Sequence, residues 1–346
     1  MYLGKCEGFE CYISPNAPNG SCIITGISGG GKSCKQNQME LREVLDGNTP
    51  IILDISRNHL KKDIFYKIQS DYWKHVNYID ASKDGIGIEI FAPIKNCRSE
   101  LESYVTLINS NVQALSARQN MGLRQQVILR EVVEEAIQLK RKCPNYTDEL
   151  ILRTVFNKHK EDTKWQEIYQ RLWTVLNCGV LKRGTKQIKP QAINIIDLST
   201  LDMLSSEILS EVILAYLWRN VYNAGFPLSF GKVTIVLDEF QHVSIKKSSM
   251  LRTMLREGRR FGLSLILATQ TMGIFTPEEV SMLNQTATHL YFRPADSDLT
   301  KCARMIEPSK ATSWRKRLAN LERGNCVAVG SLMVNGREIS HPLLLR

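Results

Sequence analysis

The residues of this chain best suited to chemistry stand in one short stretch, Gly26-Ile27-Ser28-Gly29-Gly30-Gly31-Lys32-Ser33. Glycines at this density let backbone N–H groups turn inward around an anion, and the spacing Gly-x-x-x-x-Gly-Lys-Ser adds an ammonium and a hydroxyl behind them. The chemistry that needs this combination is the binding of a nucleoside triphosphate. Lys32 would reach the β- and γ-phosphates, Ser33 would ligate Mg²⁺, and Gly26 through Cys34 would line the phosphates. A glycine-rich turn that happens to precede Lys-Ser is the alternative. Against it stand the apolar run Cys22–Thr25 before the loop and the helical composition from Ser33 to about Leu45, whose N-terminus would add its dipole.

A phosphate loop needs a carboxylate from elsewhere, and Val233-Thr234-Ile235-Val236-Leu237-Asp238-Glu239 supplies two. The apolar run reads as a buried strand, with Asp238 at its tip to hold Mg²⁺ and Glu239 as general base toward the attacking water. Two acids at a strand tip can also cap a following helix; the upstream phosphate loop favours the catalytic reading. Glu beside Asp favours hydrolysis over phosphoryl transfer to another group. The next strand, Leu263–Thr269, ends in Gln270, whose amide would sense the γ-phosphate or orient water if this strand lies near the phosphate-loop strand.

Elements must position these residues, and the apolar runs show how. Cys22–Thr25, Ile51–Asp54, Val76–Asp80, Ala192–Asp197, Val233–Asp238, Leu263–Thr269 and His289–Phe292 alternate with helical or polar stretches, the rhythm of an α/β fold with a mainly parallel sheet flanked by helices. Between Ser99 and Cys178 the texture is helical. Leu123–Leu139 puts Val127, Ile128, Val132, Val133 and Ile137 at helical spacing, and Pro144 to Asp148 reads as a turn with Thr147 or Asp148 as helix cap. The expected division is a core of residues 1–98 and 185–346 with an all-α insert at 99–184. Cys326–Val329 and Ser340–Leu345 read as a closing hairpin around the turn Val334-Asn335-Gly336-Arg337.

Composition narrows the partners. The chain has 346 residues, 45 Lys and Arg against 35 Asp and Glu, and a net charge of +10, which suits a polyanion without requiring one. Nine scattered cysteines, with no Cys-x-x-Cys pair, suit a reducing cytoplasm better than a disulfide or zinc framework. Neither a signal-peptide layout nor an apolar run of roughly 18 residues is present, so a cytoplasmic location with no transmembrane segment is expected.

The order of Tyr2-Leu3-Gly4-Lys5, GISGGGKS, IIDLSTLD (Ile195–Asp202), IVLDEFQHV, LREGRRFGLSLILATQ and LERGNCVAVG (Leu321–Gly330) resembles the HerA/FtsK superfamily of ring-forming P-loop ATPases, most of all its HerA-like branch. The resemblance spans nearly the whole chain apart from the helical stretch. It implies a RecA-like P-loop NTPase core, ATP and Mg²⁺ as cofactors, and assembly into a homo-oligomeric ring, usually a hexamer, that moves double-stranded DNA. By the same resemblance Lys32 and Ser33 match the phosphate-binding and metal residues, Asp238 and Glu239 the metal-binding and catalytic acids, and Gln270 the sensor. Arg259, three residues before Gly262, matches the arginine finger, with Arg293 after the strand His289–Phe292 as the rival. The N-terminal β-barrel of HerA proteins would be missing or reduced to its last strand.

Arg252, Arg256 and Arg259 would share one face of a helix. Lys301–Arg323, with seven Lys and Arg against two Glu, and Leu181–Lys189, with four more, are candidate backbone contacts for a salt-sensitive, sequence-independent DNA grip. The leading reading is an ATP-driven double-stranded DNA translocase; the alternatives are a type IV secretion or conjugation ATPase and a nucleotide-switched ring that holds an effector such as a nuclease. The six histidines are isolated in sequence and read as structural, and Asp54 reads as the cap of its following turn.

Overall fold

Strands that are apolar on both faces belong inside a parallel sheet covered by helices on each side. The computed structural model, which describes residues 1–86, 88–92, 121–177, 179–181, 186–224, 228–245 and 249–346, places them there. The chain opens with a hairpin of β1 (Tyr2–Cys6) and β2 (Phe9–Ile13), then enters the main sheet at β3 (Cys22–Thr25). Helix α1 (Lys32–Leu45) leads to β4 (Thr49–Asp54), and α2 (Gln69–Lys74) to β5 (Val76–Asp80) and the one-turn α3 (Ala81–Asp84). Helices α4 (Leu123–Lys142), α5 (Asp148–Lys158) and α6 (Thr163–Asn177) precede β6 (Ile193–Asp197) and α7 (Met203–Ala224). Next come β7 (Val233–Leu237), α8 (Met250–Glu257), β8 (Leu263–Thr269), α9 (Pro277–Leu283) and β9 (Thr288–Tyr291). Helices α10 (Leu299–Ile306) and α11 (Ala311–Ala319) lead to β10 (Cys326–Gly330), β11 (Leu332–Val334), β12 (Arg337–Ile339) and β13 (Leu343–Leu345).

Among the described residues the main sheet has nine strands in the order β13-β10-β9-β3-β8-β7-β4-β6-β5. The run from β9 to β5 is parallel, and β10 and β13 are antiparallel beyond β9. Strand β8 lies between β3 and β7, with Thr25 beside Thr269 and Leu237 beside Leu267. Because all three run the same way, the loops that follow them leave from one edge of the sheet.

Alternation along each strand divides the core. Ile23, Ile51, Leu53, Ile235 and Leu267 join one buried cluster, which also takes in Val132, Val155 and Leu172 of α4 to α6 and Ile213 of α7. Ile24, Ile52, Val236 and Ile266 join the other, with Met39 of α1 and Leu3, Cys11 and Leu332 of the small sheet. Each such side chain, fully removed from water, contributes about 1.5–3 kcal/mol. The phosphate-loop helix is therefore held from behind by its own sheet and by the β1-β2 hairpin.

The described helices α4 to α6 fall within the stretch 99–184, of which 99–120, 178 and 182–184 lie outside the described residues. Ile128, Val132, Val133 and Ile137 of α4 are buried, but Val127 is 55% exposed. It falls on the same helical stripe as Glu131 and Gln138, one residue step too far round to reach the core. Thr147 is the cap of α5, accepting from Leu150 N at 3.2 Å.

The closing hairpin differs from expectation. Asn335-Gly336 turns between β11 and β12, and these pair with β1-β2 in a separate antiparallel sheet of order β1-β2-β11-β12. The expected arms, β10 and β13, do pair, but in the main sheet. The four-residue turn can join only the strands that flank it directly, and the run from Ser331 to Ile339 is long enough for a hairpin of its own. The N-terminal segment likewise forms two strands rather than one.

Candidate active site

The loop after β3 wraps tightly because side chains are absent where it turns. Gly26 has a φ of 155° and a Cβ there would lie 2.6 Å from Phe292 Cβ; Gly31 has a φ of 113° and a Cβ there would lie 2.9 Å from Gly324 Cα. Neither position accepts an L side chain without displacing backbone. The loop is pinned by neighbours at the same edge: Ile27 N donates to Arg293 O at 2.9 Å, and Gly324 N donates to Gly30 O at 2.9 Å. Ser28 and Gly29 form the exposed apex, while Ser33 and Cys34, half-buried, open α1.

Lys32 is 7% exposed, and its Nζ donates to the carbonyls of Gly26 at 2.7 Å and Ile27 at 3.1 Å. Burial pushes this ammonium below its ordinary value, and the nearby Glu239 and Asp238 pull it back. The lysine of the glycine loop and the acids at the tip of β7, some two hundred residues apart in sequence, thus share one charge cluster.

Asp238 and Glu239 are 4% and 8% exposed. Burial raises Asp238 against the pull of His59 and of the hydrogen bond from Asn58, whose Nδ2 donates to Oδ2 at 2.6 Å. Glu239 takes the left-handed conformation, φ 62° and ψ 51°, uncommon for a residue with a Cβ and a mark of functional turns. Its two carboxylate oxygens accept from different amides, Oε1 from Gln270 Nε2 and Oε2 from Gln241 Nε2. Gln241 in turn accepts from Thr269 Oγ1 at 2.9 Å. The proposed base and the proposed sensor are in direct contact, because β8 stands between β3 and β7.

The donor set suits a hard cation: a hydroxyl at Ser33 and a buried carboxylate at Asp238, both oxygen, with the second carboxylate and the ammonium beside them. The glycine cradle offers the matching backbone space for phosphate.

The arginines are placed differently. Helix α8 ends at Glu257 and residues Gly258–Phe261 tighten into a 3-10 turn, so Arg259 leaves the face that Arg252 and Arg256 were expected to share with it. Arg252 pairs with Glu278 at 3.0 Å, and Arg256 with Glu257 at 2.9 Å. The Arg259 guanidinium donates to the carbonyls of Ala17 and Pro15, at the sheet edge opposite the phosphate loop. Arg293 is exposed on the phosphate-loop side, directly after β9.

Sequence reasoning missed three contributors. Gln241 lies inside the quoted IVLDEFQHV segment, and the Arg323-Gly324 turn inside LERGNCVAVG, where Arg323 acts on the Cys34 thiol, which burial raises, by pulling it down. Asn58 has no local signal at all. His59 is also not isolated, as the sequence suggested, but buried against Glu40 and Asp54; its partners are distant in sequence, so spacing could not reveal them. Asp54 caps its turn as expected, accepting from Asn58 N at 3.1 Å and His59 N at 3.0 Å.

Neither a protein-family model nor a curated protein matches the chain. Solved structures do. VirB4 of Thermoanaerobacter pseudethanolicus superposes with a TM-score of 0.72 at 15% identity, over 100% of this chain and 95% of that one. The chain shares its fold. The bacterial conjugative coupling protein TrwBdeltaN70 gives 0.64 at 12% identity, over 100% of this chain and 88% of that one. The plasmid coupling protein TrwB in complex with ADP and Mg²⁺ gives 0.61 at 15% identity, over 94% and 85%. The architecture is the RecA-like P-loop core that the HerA/FtsK resemblance implies, a mostly parallel sheet flanked by helices. No helix among the described residues is long and apolar enough to cross a membrane.

Proposed function

We propose that this chain is a Mg²⁺-dependent ATPase of the conjugation and type IV secretion kind, working as a ring in the cytoplasm. The observation that carries the reading is the meeting of Lys32, Asp238, Glu239 and Gln270 at one sheet edge, which the order β3-β8-β7 makes possible. The glycine loop and Lys32 bind the β- and γ-phosphates; Ser33 and Asp238 would hold Mg²⁺, which would neutralise developing negative charge. Glu239 takes a proton from water as its oxygen attacks the γ-phosphorus, the bond to the ADP oxygen breaks, and phosphate leaves. Gln270 and Gln241 keep the Glu239 carboxylate aimed at that water.

Of the readings open from sequence, the fold match favours conjugation and secretion over a free double-stranded DNA translocase, since the matched structures are VirB4 and a conjugative coupling protein. TrwB in complex with ADP and Mg²⁺ supports the choice of nucleotide and metal. We assign the core to 1–98 and 185–346 and the insert to 99–184. Arg259 stays our finger candidate: it is exposed at the edge opposite its own phosphate loop, where a head-to-tail ring brings the next subunit's nucleotide. Arg293, beside its own loop, is the alternative. DNA, gripped through the basic run Lys301–Arg323, and an effector protein complete the proposed partners.

The test is the ATPase rate of the full chain with Mg²⁺, wild type against Lys32→Ala, with and without linear duplex DNA at two salt concentrations. Activity lost in the variant supports the site; activity that persists refutes it. Stimulation by DNA that salt weakens moves the reading toward a DNA pump, and indifference to DNA toward protein transfer.

A further inference from the structure

Asp238 is not held by its own strand alone. Its partner Asn58 belongs to the turn after β4, the strand paired with β7 on the side away from β8. That turn is strongly determined. Asp54 closes it by accepting two backbone N–H groups, and Arg57 inside it takes a left-handed φ of 61°, which residues with a Cβ avoid unless the surroundings impose it.

The turn is also tied to α1. His59, 1% exposed, has its Nε2 3.2 Å from Glu40 Oε1 and its Nδ1 3.6 Å from Asp54 Oδ2. Gln36 Nε2 lies 3.1 Å from Glu40 Oε1 and 3.4 Å from His59 Nε2, and the Tyr72 hydroxyl donates to Glu40 Oε2 at 2.5 Å. Glu40 and Gln36 sit on the helix that begins at Lys32 and Ser33. One polar path therefore runs from α1 through the buried Glu40, His59 and Asp54 to the half-buried Asn58 and on to the buried Asp238. The buried members are fixed in place, since loosening any one strands its partner without water, and they anchor the turn that carries Asn58.

We propose that Asn58 is a positioning residue for the metal carboxylate, holding Asp238 at a set separation from Ser33 through the Glu40–His59–Asp54 cluster. The inference rests on the nucleotide-site reading above. Mg²⁺ is small and demands near-ideal geometry at short distances, so two ligands from different elements must be held in register. An amide suits the task. It engages one carboxylate oxygen, Oδ2, and being neutral it does not cancel the charge that attracts the cation. A lysine or arginine at this position would compete with the metal.

The experiment follows a fluorescent ATP analogue binding to the full chain, first in EDTA and then through a Mg²⁺ titration, for wild type, Asn58→Ala and Asn58→Leu. Asn58→Ala is expected to bind the analogue in EDTA within about twofold of wild type, while the Mg²⁺ concentration at half-effect rises about tenfold, the usual scale for losing a partner of a metal ligand. Asn58→Leu keeps the volume, removes the donor and adds no charge, so it also guards against a void as the cause; its Mg²⁺ half-effect is expected to rise as far. Half-effects at the wild-type value in Asn58→Leu overturn the inference, and so does a loss in EDTA as large as the loss with Mg²⁺ in Asn58→Ala. Wild-type binding that Mg²⁺ does not strengthen overturns instead the reading beneath it.

Discussion

His289 on β9 makes the fold sensitive to acid in a calculable way. The residue is buried, 8% exposed: Nε2 lies 3.2 Å from Leu283 O and 2.8 Å from Thr286 Oγ1, and Nδ1 lies 3.3 Å from the Tyr291 hydroxyl. A neutral tautomer satisfies these partners, with Nε2–H donating and Nδ1 accepting. Burial pushes the imidazole down to about 4 from its ordinary 6.5. The unfolded chain therefore takes up a proton as pH falls below 6.5, the folded chain does not, and stability is lost down to pH 4, below which the loss stays constant. The shift of about 2.5 pKa units corresponds to about 3 kcal/mol in full, of which about 2 kcal/mol falls between pH 7 and pH 5. Urea unfolding of wild type and His289→Gln across that interval isolates the effect, because the other titrating groups are common to both. The gap between the two proteins should shift by about 2 kcal/mol in favour of the variant as pH drops to 5. Parallel curves, with the gap steady to within about 0.5 kcal/mol on the same scale, would refute the reasoning.

Other expectations follow from the same geometry. Glu239→Gln should cut hydrolysis by about 10²- to 10⁴-fold with ATP binding retained, the scale of a lost general base; steady-state ATPase against equilibrium binding checks it. Gln241→Ala should lower kcat by about tenfold and leave KM near wild type, since it removes a hydrogen bond that aims the carboxylate and touches no substrate. Arg259→Ala should leave nucleotide binding intact and depress hydrolysis only under conditions where the chain assembles, which sedimentation alongside ATPase assays would show. Asp148, whose carboxyl is raised to about 6 by burial despite accepting from Ile90 N, holds its proton in the fold more tightly than in the unfolded chain, so its contribution to stability falls as pH rises from about 4 to 6. Asp148→Asn should remove that fall, gaining up to about 3 kcal/mol on wild type between pH 4 and pH 7, again read by urea unfolding.

What was legible in the sequence was local. The glycine loop, the strand before it and the helix after it are contiguous, and Asp238-Glu239 ends an apolar run with a tip that is recognisable from types alone. Gln270 needed only the assumption that its strand lies near the loop, and the pairing of β8 with β3 supplies it. Asn58 could not be found this way: its value comes from β4 lying beside β7, a pairing set by the whole sheet order. The closing hairpin was misassigned for a related reason, because turn chemistry at Asn335-Gly336 fixes where the chain reverses but not which sheet receives the arms. For Val127, five apolar residues fitted a helical stripe on paper, yet the buried arc was one step narrower.

The electrostatics of the site connect binding of the nucleotide to binding of the metal. Asp238 and Glu239 are adjacent, nearly buried and held by neutral amides from Asn58, Gln241 and Gln270, which orient charge without cancelling it. Lys32 brings one buried ammonium against these two carboxylates. A triphosphate entering by itself would add several negative charges to a cluster already short of positive ones, at low local dielectric where such repulsion is strong. A triphosphate entering with its cation would present Asp238 with an opposite charge, offsetting the loss of water that chiefly raises its proton affinity and, to a lesser extent, the nearby Glu239 and Asp54 charges. If the proposed site is right, the arrangement would select the metal-bound nucleotide over the free one, through the carboxylate to which Asn58 donates.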